Sequence, residues 1–159
     1  MSTPHPTAHL ARRGARVLLV NATERVLLLR GADPAQPGVR YWFTVGGGLD
    51  PGESPVQGAA RELHEETGLL VPPSALGAPV WHEVAEFPFD GRWYRQEQDF
   101  FLLRVAEWQV SRAGWDEVER RTVDAVRWWS VPELEMTDET YYPVGLAALL
   151  RGLLAGGEA

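Results

Sequence analysis

Three glutamates crowd the end of one predicted helix. Glu62 lies three and four residues before Glu65 and Glu66, so the three carboxylates share a helix face. Like charges at these spacings cost about 0.2–0.5 kcal/mol per pair, and acids at the negative end of a helix dipole cost about 0.3–1 kcal/mol. Mg²⁺ would reverse both penalties, because it binds carboxylate and phosphate oxygens. The alternative interpretation is a solvated acidic face, with Arg61 relieving Glu65.

The residues before this helix favour the metal interpretation. Residues 46–48 are all glycine, which lets the backbone turn sharply and approach a ligand closely. Glu53 stands just before the helix, where the dipole favours an acid. A plain turn and a dipole-favoured acid would explain each feature separately, but they leave the joint spacing unexplained.

Capping residues define the helix that carries the glutamates. Ser54 and Gln57 form a capping box, and Pro55 suits the first helical position. Gly68 stands where a left-handed C-terminal cap belongs. The pattern predicts a helix over Pro55–Thr67. Its apolar stripe consists of Val56, Ala59, Ala60 and Leu63.

Strand-like runs make up most of the remaining chain. Strands are expected at residues 15–20, 25–30, 41–45, 81–87, 92–105 and 125–129. Residues 1–13 predict a disordered tail, which leaves 14–155 as a single domain. Residues 108–119 predict a polar connection, and residues 142–154 an apolar helix. Because strands stand before, between and after helices without regular alternation, we expect an α+β fold with a mixed sheet.

Composition bounds the function. The 159 residues suit one domain. The absence of cysteine excludes disulfides, thiolate metal sites and a cysteine nucleophile. A net charge of −7 argues against non-specific nucleic-acid binding. No apolar run approaches the roughly 20 residues of a membrane span, and residues 1–14 hold no signal-peptide core. We therefore expect a cytoplasmic protein without nucleic-acid or membrane partners.

The acidic helix and the loop before it together match one family motif. The pattern is G-x5-E-x7-R-E-U-x-E-E-x-G-U, in which U is apolar. Its positions are filled without a gap by Gly47, Glu53, Arg61, Glu62, Leu63, Glu65, Glu66, Gly68 and Leu69. A chance match somewhere in the chain has odds of roughly one in a million. The segment resembles the Nudix box.

The resemblance implies a fold and a reaction. The implied fold is an α/β/α sandwich, a mixed central sheet flanked by helices. The implied enzyme hydrolyses a phosphoanhydride bond in a nucleoside diphosphate linked to another moiety. It uses Mg²⁺ or Mn²⁺, and its partner is a small-molecule nucleotide.

The resemblance also implies metal ligands. Glu65 and Glu66 correspond to metal-binding acids, and Glu62 to a ligand or the general base. The carbonyl of Gly46, just before the box, resembles a backbone ligand. These assignments agree with the chemistry, because cations neutralise a diphosphate and acidify the attacking water.

Other residues are implied to support catalysis. Arg61 corresponds to the residue that orients the box carboxylates, and Glu53 to a supporting acid. Some family members add an acid from outside the box. Candidates here are Glu83, Glu97, Asp99, Glu117 and Glu119. Glu119 is favoured because its polar connection can fold over the site.

Several alternatives remain open from the sequence. A Nudix-type domain that senses a nucleotide metabolite is the main one, and an acidic docking face is another. Val45 stands where many relatives carry a proline before the glycines. Neither the proline of some ADP-ribose hydrolases nor the tyrosine of some dinucleoside polyphosphate hydrolases is present near Val84, so the sequence leaves the substrate open. The apolar last helix, after Tyr141 and Tyr142, suggests the hypothesis of a homodimer.

Overall fold

A computed structural model describes residues 9–155 of the chain, which form one mixed sheet flanked by helices. The strands are β1 Leu10–Val20, β2 Val26–Gly31, β3 Tyr41–Gly48, β4 Trp81–Phe89, β5 Arg92–Arg104, β6 Ala125–Trp129 and β7 Tyr141–Tyr142. The helices are α1 Pro55–Thr67, α2 Glu117–Thr122, α3 Val131–Met136 and α4 Leu146–Ala155, with a 3-10 turn at Pro73–Leu76. None of the described helices has the length and apolar character needed to cross a membrane.

Strand β1 is the centre of the sheet. It pairs in parallel with β5 along its whole length. On its other edge it pairs antiparallel with β3, where Ala15 faces Gly47, and then with β2, where Val20 faces Val26. Strand β4 forms a hairpin with β5, β6 pairs with β2, and β7 pairs in parallel with β3. The glycines that end β3 therefore lie beside the middle of β1.

Both faces of the sheet are covered, which explains the unbroken apolar runs in β1 and β2. The cluster beneath α1 includes Val17, Leu19, Leu29, Val45, Leu63 and Phe101. The cluster beneath α3 and α4 includes Leu18, Val20, Leu28, Trp42, Phe100, Leu134 and Leu150. Adjacent Trp128 and Trp129 join different clusters, as alternation along a strand requires.

The predicted boundary of the N-terminal tail is wrong. Residues 10–13 were expected in a disordered tail, but they form the start of β1. They are ordered by parallel pairing with β5, where Leu10 faces Tyr94. Such pairing is not visible in local sequence, because strand formation depends on the partner strand. Residues 1–8 of the predicted tail lie outside the described residues.

Two helical predictions also need correction. The last helix begins at Leu146, four residues later than expected, because Tyr142 pairs with β3 as part of β7. Part of the polar connection is helical, since α2 begins at Glu117. Asp116 and Glu119 form its capping box, a local signal that could have predicted this helix.

Candidate functional site

Helix α1 has the predicted bounds, and its first turn is capped by side chains. The hydroxyl of Ser54 accepts a hydrogen bond from the amide of Gln57, and the Gln57 side chain accepts one from the amide of Ser54. Gly68 ends the helix with φ 80°, and its amide donates to the carbonyl of His64 at 2.9 Å. The prediction of a helix over Pro55–Thr67 is confirmed.

Three carboxylates converge beside the glycines that end β3. One oxygen from each of Glu62, Glu66 and Glu119 lies within 4.8 Å of the others, and we call them the acidic triad. Glu66 is only 3% exposed, and its Oε1 accepts a hydrogen bond from the amide of Gly46 at 2.8 Å. A Cβ on Gly47 would lie 2.8 Å from Glu62 Oε1. Glycine at position 47 therefore lets the backbone approach this carboxylate.

Two tryptophans from the segment before Glu119 form hydrogen bonds with the end of helix α1. The indole N–H of Trp115 donates to the carbonyl of Glu66 at 2.8 Å, and that of Trp108 donates to the carbonyl of Thr67 at 2.9 Å. These bonds satisfy carbonyls that the helix end leaves unpaired. This capping role of the two indoles carries no local signature in the sequence.

Arg61 connects several parts of the site. Its guanidinium forms a bidentate pair with Glu53, at 2.8 and 2.9 Å. It also donates to Glu62 at 3.2 Å, to Glu65 at 3.0 Å and to the carbonyl of Gly48 at 3.0 Å. The hydrogen bond from Arg61 lowers the pKa of Glu53 below its ordinary value. Arg61 thus contacts three carboxylates and one backbone carbonyl of the segment that resembles the Nudix box.

We expect Arg61→Lys to destabilise the protein. Lysine keeps the charge but cannot form the bidentate pair or reach several acceptors at once. Loss of charged hydrogen bonds should lower the free energy of unfolding by about 1.5–3 kcal/mol, which lowers the melting temperature by roughly 3–10 °C. Thermal denaturation measures this.

The control for this experiment is Arg30→Lys. Arg30 also forms a bidentate pair, with Asp124, at 2.9 and 3.3 Å. The two side chains of that pair are 34% and 38% exposed, so its loss should cost less than about 1 kcal/mol. Equal shifts for the two variants would contradict the structural role of Arg61.

Burial raises the pKa of two carboxyl groups of the acidic triad, Glu62 and Glu66. Burial raises the pKa of Glu62 to about 7, although the charge of Arg61 opposes the change. Burial raises the pKa of Glu66 well above its ordinary range, and the carboxylates of Glu62 and Glu119 raise it further. Clustered, buried carboxylates without a cation are unfavourable. The donor set, all oxygen and all acidic, fits Mg²⁺ or Mn²⁺.

The structure does not bring all predicted site residues into the triad. Glu65 is 44% exposed in its side chain and is bound by Arg61. Gly46 contacts the triad through its amide, whereas its carbonyl was the predicted ligand. The remaining acids considered outside the box lie elsewhere within residues 9–155. Glu83 contacts Gln98, Glu97 and Asp99 approach His82, and Glu117 is exposed.

Comparison with known proteins decides the family. The NUDIX domain matches residues 10–147. The chain belongs to the NUDIX domain family. An RNA pyrophosphohydrolase of Rhodospirillum rubrum is 33% identical over 112 residues, covering 64% of this chain and 66% of the relative. The chain thus matches just under two thirds of that relative's length. An RNA pyrophosphohydrolase of Gluconacetobacter diazotrophicus is 31% identical over 136 residues, covering 77% and 79%.

Solved structures show the same NUDIX fold. The crystal structure of a MutT protein from Methanosarcina mazei superposes with a TM-score of 0.68 and 19% identity. The superposition covers 97% of this NUDIX chain and 100% of the other chain. The predicted fold class, a mixed sheet flanked by helices in an α+β domain, is confirmed.

Proposed function

We propose that this NUDIX chain is a Mg²⁺- or Mn²⁺-dependent hydrolase of phosphoanhydride bonds in nucleoside diphosphate derivatives. The single observation that carries the proposal is the acidic triad: Glu62, Glu66 and Glu119 converge although two come from α1 and one from α2. Its relatives include proteins named RNA pyrophosphohydrolases. These names support a pyrophosphohydrolase reaction.

The residues of the chain have distinct roles in this proposal. The cation would be bound by the acidic triad, Glu62, Glu66 and Glu119. Glu65, which is more exposed, would be a further acid at the edge of the site. A bound divalent cation would neutralise the diphosphate and lower the pKa of the attacking water. Arg61 fixes Glu62 in one orientation, so that a carboxylate oxygen can bind the cation or accept a proton.

A substrate panel tests the reaction. Nucleoside triphosphates, oxidised triphosphates, ADP-ribose, nucleotide sugars, dinucleoside polyphosphates and a 5′-triphosphate RNA oligonucleotide are each incubated with MgCl₂ or with EDTA. We expect turnover of at least one class with MgCl₂ and none with EDTA. Binding of a panel member without turnover would favour a nucleotide-sensing domain. Equal turnover in EDTA would contradict the proposed metal dependence.

Glu119→Gln tests the acid from outside the box. The variant removes one carboxylate from the acidic triad, so we expect kcat to fall about 10²-fold, as when one preorganised charged group is removed from a site. Glu117→Gln is the matched control, because Glu117 lies exposed on the same short helix α2. Its kcat should stay at the wild-type value. Similar kcat values for the two variants would show that Glu119 is not part of the active site.

A further inference from the structure

A second polar cluster lies on the sheet face opposite α1. Arg12 and Arg16 point from β1 to the same face, since side chains two and four residues apart share a face. The neighbouring strand β5 contributes Gln96 and Gln98, which are 0% and 7% exposed. Gly14 stands between the arginines, and a Cβ there would collide with the Gln96 side chain. We call Arg12 and Arg16 the arginine pair.

Each buried glutamine accepts a hydrogen bond from the Nε of one arginine of the arginine pair. Arg12 Nε donates to Gln96 Oε1, and Arg16 Nε donates to Gln98 Oε1 at 3.2 Å. The Gln96 amide donates to Gln98 Oε1 at 2.7 Å, which links the two supports. Arg16 also donates to the carbonyl of Thr44 at 3.0 Å. Both terminal nitrogens of Arg12 and one of Arg16 make no hydrogen bond within the part of the chain that the structure describes.

The arginine pair also lacks a carboxylate partner. Four arginines are half-buried among residues 9–155: Arg12, Arg16, Arg30 and Arg61. Arg30 and Arg61 each form ion pairs, whereas the pair on β1 forms none within those residues. This is unexpected in a chain of net charge −7. Arg12 lies over the rings of Tyr94 and Phe87, at 4.8 and 5.8 Å, and the nearby carboxylate of Glu83 accepts a hydrogen bond from Gln98, at 3.4 Å, and not from either arginine. An anion would offset the remaining cost of holding two neighbouring guanidiniums partly out of water.

The arginine pair and the acidic triad approach the glycines at the end of β3 from opposite faces of the sheet. Arg16 faces Gly46 across the β1–β3 pairing, and a Cβ on Gly46 would lie 2.7 Å from its Cα. A Cβ on Gly48 would lie 3.1 Å from Arg12 Nε. The amide of Gly46 donates to Glu66 of the acidic triad. Only glycine backbone, with no side chain, therefore lies between the carboxylates and the arginines.

We propose that the arginine pair binds the terminal phosphate of a 5′-triphosphate group, carried by a free nucleotide or by an RNA end, and that Gln96 and Gln98 are positioning residues. A terminal phosphate carries between one and two negative charges, with three acceptor oxygens. Two guanidiniums match this charge and geometry. Nucleotide sugars, ADP-ribose and dinucleoside polyphosphates offer only internal phosphates. The inference rests on the proposed hydrolase function and names its substrate class.

The first test compares substrates that end in a triphosphate with substrates whose diphosphate is linked to another group at both ends. Arg12→Gln should raise KM about 10- to 100-fold for GTP and for a 5′-triphosphate RNA oligonucleotide, with less change in kcat. KM for ADP-ribose and UDP-glucose should stay within about twofold of wild type. Arg13→Gln is the matched control, because Arg13 is exposed on the opposite face of β1, and it should change nothing.

The positioning role has its own variants. Gln96→Glu keeps the size of the side chain but places a carboxylate against Arg12, so it should raise KM for triphosphates at least as much as Gln96→Met. A structural defect alone would lower kcat on every substrate equally. Arg12→Lys retains the charge and should recover part of the affinity, which keeps the test valid where Arg12→Gln folds poorly.

A binding measurement keeps the two proposals distinguishable. Calorimetry with inorganic tripolyphosphate in EDTA needs neither metal nor turnover, and we expect binding by wild type and loss in Arg12→Gln. Binding there without hydrolysis of any substrate would refute the hydrolase but keep the arginine site. Hydrolysis with equal KM changes on GTP and ADP-ribose, or unchanged tripolyphosphate binding, would overturn the triphosphate assignment. Higher kcat/KM for the oligonucleotide assigns the RNA end as the source, and the reverse assigns the free nucleotide.

Discussion

Replacing Glu66 by Gln is expected to stabilise the metal-free protein while removing its activity. We expect kcat to fall about 10²–10³-fold, because the variant deletes a charge from the acidic triad. In EDTA near pH 8, the melting temperature should rise by about 2–4 °C for each kcal/mol gained. The amide of glutamine still offers an oxygen to the N–H of Gly46, so the hydrogen bond survives.

The stabilisation follows from the direction of the pKa shift. Burial raises the pKa of Glu66 in the folded protein above its value in the unfolded chain. The folded state is therefore penalised as pH rises above the ordinary value of 4.5, where the unfolded chain loses its proton. Glutamine removes this penalty, so the gain in melting temperature should be larger near about pH 8 than near about pH 5.

Glu65→Gln is the control for this prediction. It makes the same chemical change on the same helix, but the Glu65 side chain is 44% exposed. Its free energy of unfolding in EDTA should change by no more than about 0.5 kcal/mol. A lower melting temperature for Glu66→Gln than for wild type in EDTA near about pH 8 would show that the buried carboxylate is not a destabilising group.

Mg²⁺ is expected to stabilise the wild-type protein more strongly as pH rises. Burial raises the pKa of Glu62 to about 7 and that of Glu66 well above 4.5. Without metal, stability should therefore fall as pH rises from 4.5 to about 7. A cation binds the deprotonated carboxylates and offsets this loss. At about 100 times its Kd it contributes about 2.7 kcal/mol, or roughly 5–10 °C.

Scanning fluorimetry with excess MgCl₂ or with EDTA measures this effect near about pH 5 and about pH 8. The shift caused by MgCl₂ should be small at the lower pH and large at the higher one. In Glu66→Gln the difference between the two pH values should shrink. A shift of equal size at both pH values, or no shift at all, would contradict metal binding by the acidic triad.

Local sequence determined the acidic helix and the family. The capping box of Ser54 and Gln57, the left-handed cap at Gly68 and the apolar stripe all act within a few residues, so they predict helix α1 with its observed ends. The Nudix box is contiguous, so the resemblance is visible in the local sequence, and that resemblance implied Arg61 and the glutamates as candidate site residues. Six of the seven strands within residues 9–155 were also predicted, because their apolar runs are local patterns, whereas the two-residue strand β7 was not.

Tertiary structure decided what depends on distant pairing and burial. Glu119 joins Glu62 and Glu66 from a distant segment, which two indoles bind to the carbonyls at the end of α1. Residues 10–13 become a strand through their parallel pairing with β5, and the same pairing sets Arg12 beside the buried Gln96. The raised pKa of Glu66 likewise depends on its surroundings in the folded chain. Such contacts join residues far apart in sequence, so no local pattern encodes them.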